Sequence, residues 1–153
     1  VGLKNKDMTS DEFMKYLESI GGIKNGNLSN KALITNRYYF SVGDGWLYLI
    51  KEMMDDIIKM GWNKEVYQVK EKFGLLKFYI GSASKEIQDR IAQAENDSML
   101  VCEICGESGK KRTRGWIKIL CNKHNKQREN ERKQRENERK QRENERKQRE
   151  NER

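Results

Sequence analysis

The three cysteines and the one histidine of this 153-residue chain all fall between Cys102 and His124. The stretch reads Cys102-Glu-Ile-Cys105, fifteen intervening residues, then Cys121-Asn-Lys-His124. A Cys-x₂-Cys pair bends the backbone so that two thiolates face one point. A second pair at similar spacing completes the tetrahedron of a closed structural zinc site. A disulfide framework fits worse, because the cysteine count is odd and nothing resembles a secretory leader. The expected metal ligands are therefore Cys102, Cys105, Cys121 and His124, and the expected cofactor is structural Zn²⁺. Reduced thiols and the lack of a leader-like segment give the expectation of a cytoplasmic protein.

Charge is placed unevenly around this motif. Residues 1–101 carry 14 basic and 14 acidic side chains. Residues 102–125 carry six basic and two acidic, and residues 126–153 carry twelve and eight. The surplus thus belongs to the cysteine segment and the tail, a distribution that suits a polyanionic partner there. No apolar run approaches the ~20 residues of a membrane span. Three regions are expected: an α+β body at 1–101, a zinc finger at 102–125 and a charged tail at 126–153.

In the body, Thr9-Ser-Asp-Glu12 is a capping box, and Phe13, Met14, Leu17 and Ile20 follow at helical spacing up to Gly21-Gly22. Residues 23–36 read as loop, and residues 37–42 as a short strand. Asp44 stands where an N-cap is expected for a second helix over 46–60, whose apolar positions run from Trp46 to Met60. Val66 to Ile80 reads as a β-hairpin about Gly74, although Phe73-Gly74 is not a strong two-residue turn signal. Ser84 caps a third helix to about Asp97, with Ile87, Ile91 and Ala94 as its apolar stripe. The expected class is α+β: a small antiparallel sheet with three helices, then a treble-clef-like finger and a charged C-terminal helix.

Two features of the body invite a functional reading. Lys70, Lys72 and Lys77 share a hairpin with tyrosines, so Tyr39, Tyr67 or Tyr79 could stack on a base while the ammonium groups face phosphate. A half-solvated sheet with outward lysines explains the same residues more simply. Asp55-Asp56 point ~100° apart on a helix, which suits a solvated face better than a shared ion.

Gly43-Asp-Gly-Trp46, the run Gln68-Val-Lys-Glu-Lys-Phe-Gly-Leu-Leu-Lys-Phe-Tyr79, and a finger with Gly115-Trp116 ahead of Leu120-Cys121 occur here in that order. Together they resemble a family of small phage and prophage proteins over roughly residues 40–125. The resemblance implies a bacterial host cell during infection or lysogeny. It supplies no activity and no catalytic residues, and the perfect C-terminal repeat departs from the family's pattern.

Within the finger, Gly106 is expected at positive φ so that an N–H approaches sulfur. Lys110, Lys111, Arg112 and Arg114 line a polar run, and Trp116-Ile-Lys-Ile-Leu120 reads as a returning strand with Trp116 packed beneath the site. Such a finger could bind nucleic acid through those four cations. A solvated charged loop is an even match for the same residues, and a protein contact is a further use of them. The body alternatively suits a host-takeover or anti-defence inhibitor that captures a protein or a nucleotide signal. A degenerate His-Asn-His-like nuclease is the weakest reading. It needs a histidine base, and the only histidine is assigned to metal; four ligands also leave no position for a catalytic water.

The tail repeats Lys-Gln-Arg-Glu-Asn-Glu-Arg four times without change, from 126, 133, 140 and 147. A period of seven with no apolar position offers no seam for a coiled coil. Pairs such as Glu129→Lys133 and Glu136→Lys140 favour a single charged helix, whereas an asparagine in each repeat opposes it and disorder competes. A spacer or a weak polyanion contact is the functional reading, and neutral expansion of a 21-base repeat is the plainer one.

Overall fold

The computed structural model describes residues 7–153, so positions 1–6 of the expected body lie outside the described residues. Two compact units divide between Cys121 and Asn122. The first contains an α+β core, and the second is a single helix.

Helix α1 (Ser10–Ser19) starts on the anticipated capping box. Glu12 N–H donates to Thr9 Oγ1 at 3.1 Å, and Thr9 N–H donates back to the Glu12 carboxylate at 3.2 Å. Strands β1 (Ile23–Asn25) and β2 (Leu33–Ile34) follow, inside a segment expected to be loop. The polar composition hid them, because only Ile23 and Ile34 at the ends are buried. Their backbone groups are satisfied from far along the chain: Lys24 N–H donates to Lys64 O at 2.7 Å, and Gly26 N–H to Val66 O at 2.8 Å.

The strand expected at 37–42 is mostly a 3₁₀ turn, Arg37–Tyr39, and only Phe40–Ser41 is extended, as β3. Asn36 causes the turn, since its side chain accepts the Tyr38 N–H at 2.8 Å. A second 3₁₀ turn, Asp44–Trp46, leads into helix α2 (Leu47–Lys59). Asp44 does not cap α2 through its side chain. Its carboxylate accepts from Arg37 Nη2 at 2.8 Å, a charge-assisted bond that outcompetes a neutral amide. Arg37 is itself buried and donates to Phe40 O and Val42 O at 2.7 Å each, so one guanidinium fixes the whole 37–44 segment.

Strands β4 (Glu65–Val66), β5 (Gln68–Lys72) and β6 (Leu75–Tyr79) precede helix α3 (Lys85–Asp97), which Ser84 caps through its hydroxyl. In the hairpin β5–β6, Lys72 lies opposite Leu75, leaving Phe73 and Gly74 as a two-residue loop. Both have positive φ, 53° and 78°, as a type I′ turn demands. Glu71 supports the turn by accepting the Gly74 N–H at 2.7 Å. Strands β7 (Lys110–Arg112) and β8 (Lys118–Leu120) form the last hairpin.

The strands make three small sheets, ordered β2-β1-β4, β3-β5-β6 and β7-β8. The β1–β4 and β3–β5 pairs are parallel, so the expected antiparallel sheet is in fact mixed. One core joins them. Phe13 and Leu17 of α1, Ile50, Met53, Met54 and Ile57 of α2, Val69, Leu76 and Phe78 of the hairpin, and Ile87, Ile91 and Ala94 of α3 all belong to it. Asp55 and Asp56 tie helices together at its margin. Asp55 accepts the Tyr16 hydroxyl at 2.6 Å, and Asp56 pairs with Arg90 at 2.7 Å.

The second unit is helix α4 (Asn122–Asn151), with no buried residue. Helix therefore prevails over disorder for the repeats, at ~45 Å for 30 residues at ~1.5 Å each. The Glu136–Lys140 pair forms at 3.4 Å. Each of three repeats also makes a Gln-to-Glu bond four residues on, as Gln134 Nε2 does to Glu138 at 3.3 Å.

Candidate metal centre and the basic strand

Leu100 ends a short 3₁₀ turn, and the chain enters the Cys102 knuckle extended. Val101 bridges Ser108, Cys102 N–H donates to Glu107 O at 2.7 Å, and Gly106 N–H donates to Cys102 O at 2.9 Å. Gly106 takes φ +80°, as anticipated, and the Glu107 N–H that follows bonds to the Cys105 sulfur. The first two ligands are thus placed by a turn that the Cys102 and Gly106 amides close, with the Glu107 amide turned to sulfur.

Cys121 immediately precedes α4, and His124 lies in its first turn. The ligand atoms of Cys102, Cys105, Cys121 and His124 all lie within 4.8 Å of one another. No cysteine is in a disulfide. Cys105 Sγ and Cys121 Sγ are 3.8 Å apart. Two thiolates bound to one Zn²⁺ at ~2.3 Å with tetrahedral angles would be ~3.8 Å apart, so the spacing fits that ion. Burial is the first cause that pushes the Cys105 thiol up to about 12, and the neighbouring Cys102 and Cys121 thiols add to it. The Glu107 N–H works the other way. A Cys105 thiol so reluctant to hold negative charge by itself is suited to a divalent cation that supplies the missing positive charge.

Backbone contact secures the knuckle to the body. Gly45 N–H donates to Glu103 O at 2.8 Å, Gly43 N–H to the Glu103 carboxylate at 3.2 Å, and Trp46 Nε1 to Val101 O at 2.8 Å. A Cβ at Gly45 would lie 2.6 Å from Gly106 N and nearer still to Cys102 O, so only glycine permits this approach. Glu103 is buried, its N–H donates to Ile119 O at 3.0 Å, and its carboxylate also pairs with Lys118 at 3.4 Å. Sequence reasoning passed over Glu103 and Arg37. The available signal for Glu103 was an acidic residue between two ligands in an otherwise basic segment.

The four cations anticipated on the finger separate by role. Lys110, Lys111 and Arg114 are exposed. Arg112 is half-buried, and its Nε donates to Leu120 O at 3.2 Å, bracing the hairpin. Trp116 does not pack beneath the site, because it is 71% exposed. The neighbouring Val101, Ile119 and Leu120 are the buried apolar residues of the finger, and Trp46 is the indole bonded to it, through Val101 O.

On the body, Tyr39, Tyr67, Lys70 and Tyr79 line one cavity of about 600 Å³ with Asn27, Ser41, Gln68 and Val69. Lys70 Nζ sits 5.9 Å from the Tyr79 ring centroid. Lys77 lies opposite Lys70 in the sheet and Lys72 opposite Leu75, outside the cavity lining. The Tyr39 hydroxyl donates to Tyr67 O at 2.6 Å and the Tyr67 hydroxyl to Glu65 at 2.9 Å, so both serve the fold. Burial raises the Tyr39 pKa, and the bond to Glu65 raises that of Tyr67.

No helix of the described residues is long and apolar enough to cross a membrane. No family model matches the chain, and no curated protein or solved structure is significantly similar to it.

Proposed function

We propose that the chain is a non-enzymatic, zinc-stabilised phage accessory protein that binds nucleic acid through Lys110, Lys111 and Arg114, with Arg112 as their brace. The observation that carries this reading is a run of exposed cations, Lys110 and Lys111 on β7 and Arg114 just after it, on a hairpin whose second strand leads into the Cys₃His cluster. Phosphate neutralisation needs positive groups held at fixed spacing, and a metal-tethered hairpin holds them. Four protein ligands leave the ion without an open position, so its role is to hold shape. The phage setting rests on the resemblance of the Gly43–Trp46, Gln68–Tyr79 and finger blocks. A gel shift with a salt titration tests the reading. Affinity should fall steeply with salt, by a log–log slope of about −2 to −3.5 for three or four phosphate contacts. Replacing Lys110, Lys111 and Arg114 by Ala should flatten that slope, and unchanged binding would remove this strand from consideration.

The cavity at Tyr39, Tyr67, Lys70 and Tyr79 favours a second reading, an anti-defence inhibitor that captures a nucleotide signal. Native mass spectrometry of protein purified from infected cells tests it: a retained small molecule lost on Lys70→Ala supports capture, and bare protein argues against it.

A further inference from the structure

The β5–β6 turn and the finger meet at one point. A Cβ on Gly74 would lie 3.0 Å from Ile117 Cγ2 and 3.6 Å from Ile119 Cδ1. Phe73 and Trp116 are the residues just before the two contact partners, and both rings are 71% exposed. Two 3.8 Å virtual bonds plus the width of that contact keep their Cα atoms within ~15 Å. Phe73 serves the fold poorly. It occupies a left-handed position at φ 53°, where Asn, Asp or Gly is the favourable choice and a bulky residue is an outlier. It also leaves its ring in water. Backbone strain held at an exposed aromatic points toward use of that ring. The exposed Lys72 directly precedes Phe73, the exposed Arg114 lies two residues before Trp116, and the exposed Lys110 and Lys111 sit on the strand paired with Ile119 and Leu120. Glu71, the acid nearest the turn in sequence, is engaged with the Gly74 amide.

We propose that Phe73 and Trp116 form a stacking platform for the unpaired bases of a single-stranded nucleic acid, whose phosphates are met by Lys72, Lys110, Lys111 and Arg114. This rests on the nucleic-acid reading above and narrows it to single strands. Bases are hidden in a duplex, whereas every unpaired base offers a face to an aromatic ring. Phosphate contact alone would need no ring.

Fluorescence gives a direct test on the full zinc-loaded chain. Trp46 and Trp62 are buried, 0% and 6% exposed, so quenching by an added oligonucleotide reports on Trp116. A 12-mer of thymidine should quench emission, and a duplex of equal length should bind at least tenfold more weakly. Phe73→Asn, which suits the left-handed turn, and Trp116→Ala should each weaken single-strand binding about tenfold. Their salt slope should stay that of the parent, and Phe73→Tyr and Trp116→Phe should restore affinity. Phe73→Asn should melt no lower than the parent, which separates lost stacking from lost folding. Equal binding of both nucleic-acid forms, with both ring variants unaffected, would overturn the platform while leaving the phosphate reading standing. Binding of neither form would overturn both and turn the aromatic pair into a candidate protein contact.

Discussion

Replacing Gly45 by Ala should damage the protein without removing any charged or ligating side chain. The new methyl carbon would lie 2.6 Å from Gly106 N and 2.7 Å from the Glu103 carbonyl carbon. Cys102 O would lie nearer still, and ordinary contact begins at 3.4 Å, so the 44–46 turn and the Cys102–Cys105 knuckle must separate by more than 0.8 Å. All three neighbours are backbone atoms, and no rotamer change relieves them. Separation stretches Gly45 N–H to Glu103 O and Trp46 Nε1 to Val101 O, each 2.8 Å. Overpacking costs ~1–3 kcal/mol, and each strained buried hydrogen bond ~0.5–1.5 kcal/mol, giving a total of about 3 kcal/mol. For a unit of this size that lowers the melting midpoint by roughly 12 °C. Gly61→Ala is the control. Gly61 has φ +93° but no atom within 4 Å of its Cβ, so it pays backbone strain of ~1–2 kcal/mol alone. Circular-dichroism melts with zinc present should rank Gly45→Ala well below Gly61→Ala. Competition with a chromophoric chelator should show weaker metal binding only in Gly45→Ala. A Gly45→Ala protein that melts within about 2 °C of the parent and holds metal equally well would refute the mechanical link between turn and knuckle.

Elemental analysis of protein prepared without chelator should find one zinc per chain, and Cys121→Ser should lower both that ratio and the melting midpoint. Burial, then the hydrogen bond from its hydroxyl to Asp55, raises the Tyr16 pKa far above its ordinary value. Folded Tyr16 therefore keeps its proton longer than the unfolded chain does. Its contribution is complete below about pH 10 and drains away above it, so Tyr16→Phe should flatten the alkaline loss of stability in denaturant titrations. Deleting residues 133–153 removes no buried side chain, so the thermal midpoint and the metal content should stay while far-UV helicity falls.

The elements that were readable before the fold was known are those whose signal is local. The Thr9–Glu12 box, the apolar face of α2 and the Ser84 cap each act within a few residues, and each is found where periodicity put it. The Cys₃His cluster was legible for the same reason, because ligand spacing along the chain encodes the turn that gathers the sulfurs. Errors arose where a distant partner decided the outcome. Asp44 carries the chemistry of an N-cap, but the Arg37 guanidinium claims it. The segment 23–36 looks like loop until the 64–66 backbone supplies its missing bonds. Trp116 was expected beneath the site because an aromatic near ligands usually packs, and nothing local revealed that it would stay exposed while Val101, Ile119 and Leu120 are buried.

Gly43 and Gly45 show how far this extends. In sequence they look like flexible lead-in to a helix. In the fold they form a side-chain-free surface on which a knuckle some 60 residues away lays its backbone. That arrangement changes what the metal stabilises. A 23-residue finger alone buries too little to fold without its ion. Here the knuckle's carbonyls accept from Gly45 and Trp46, and Ile119 belongs to the core that α2 fills. The binding energy of an ion held there would therefore be shared with the body through bonds that cross from 101–103 to 43–46. Loss of the ion should loosen α2 as well as the finger, visible as faster amide exchange along Leu47–Lys59 in chelated protein. Unchanged exchange there, beside a melted 102–120 segment, would show the two halves to be stable independently.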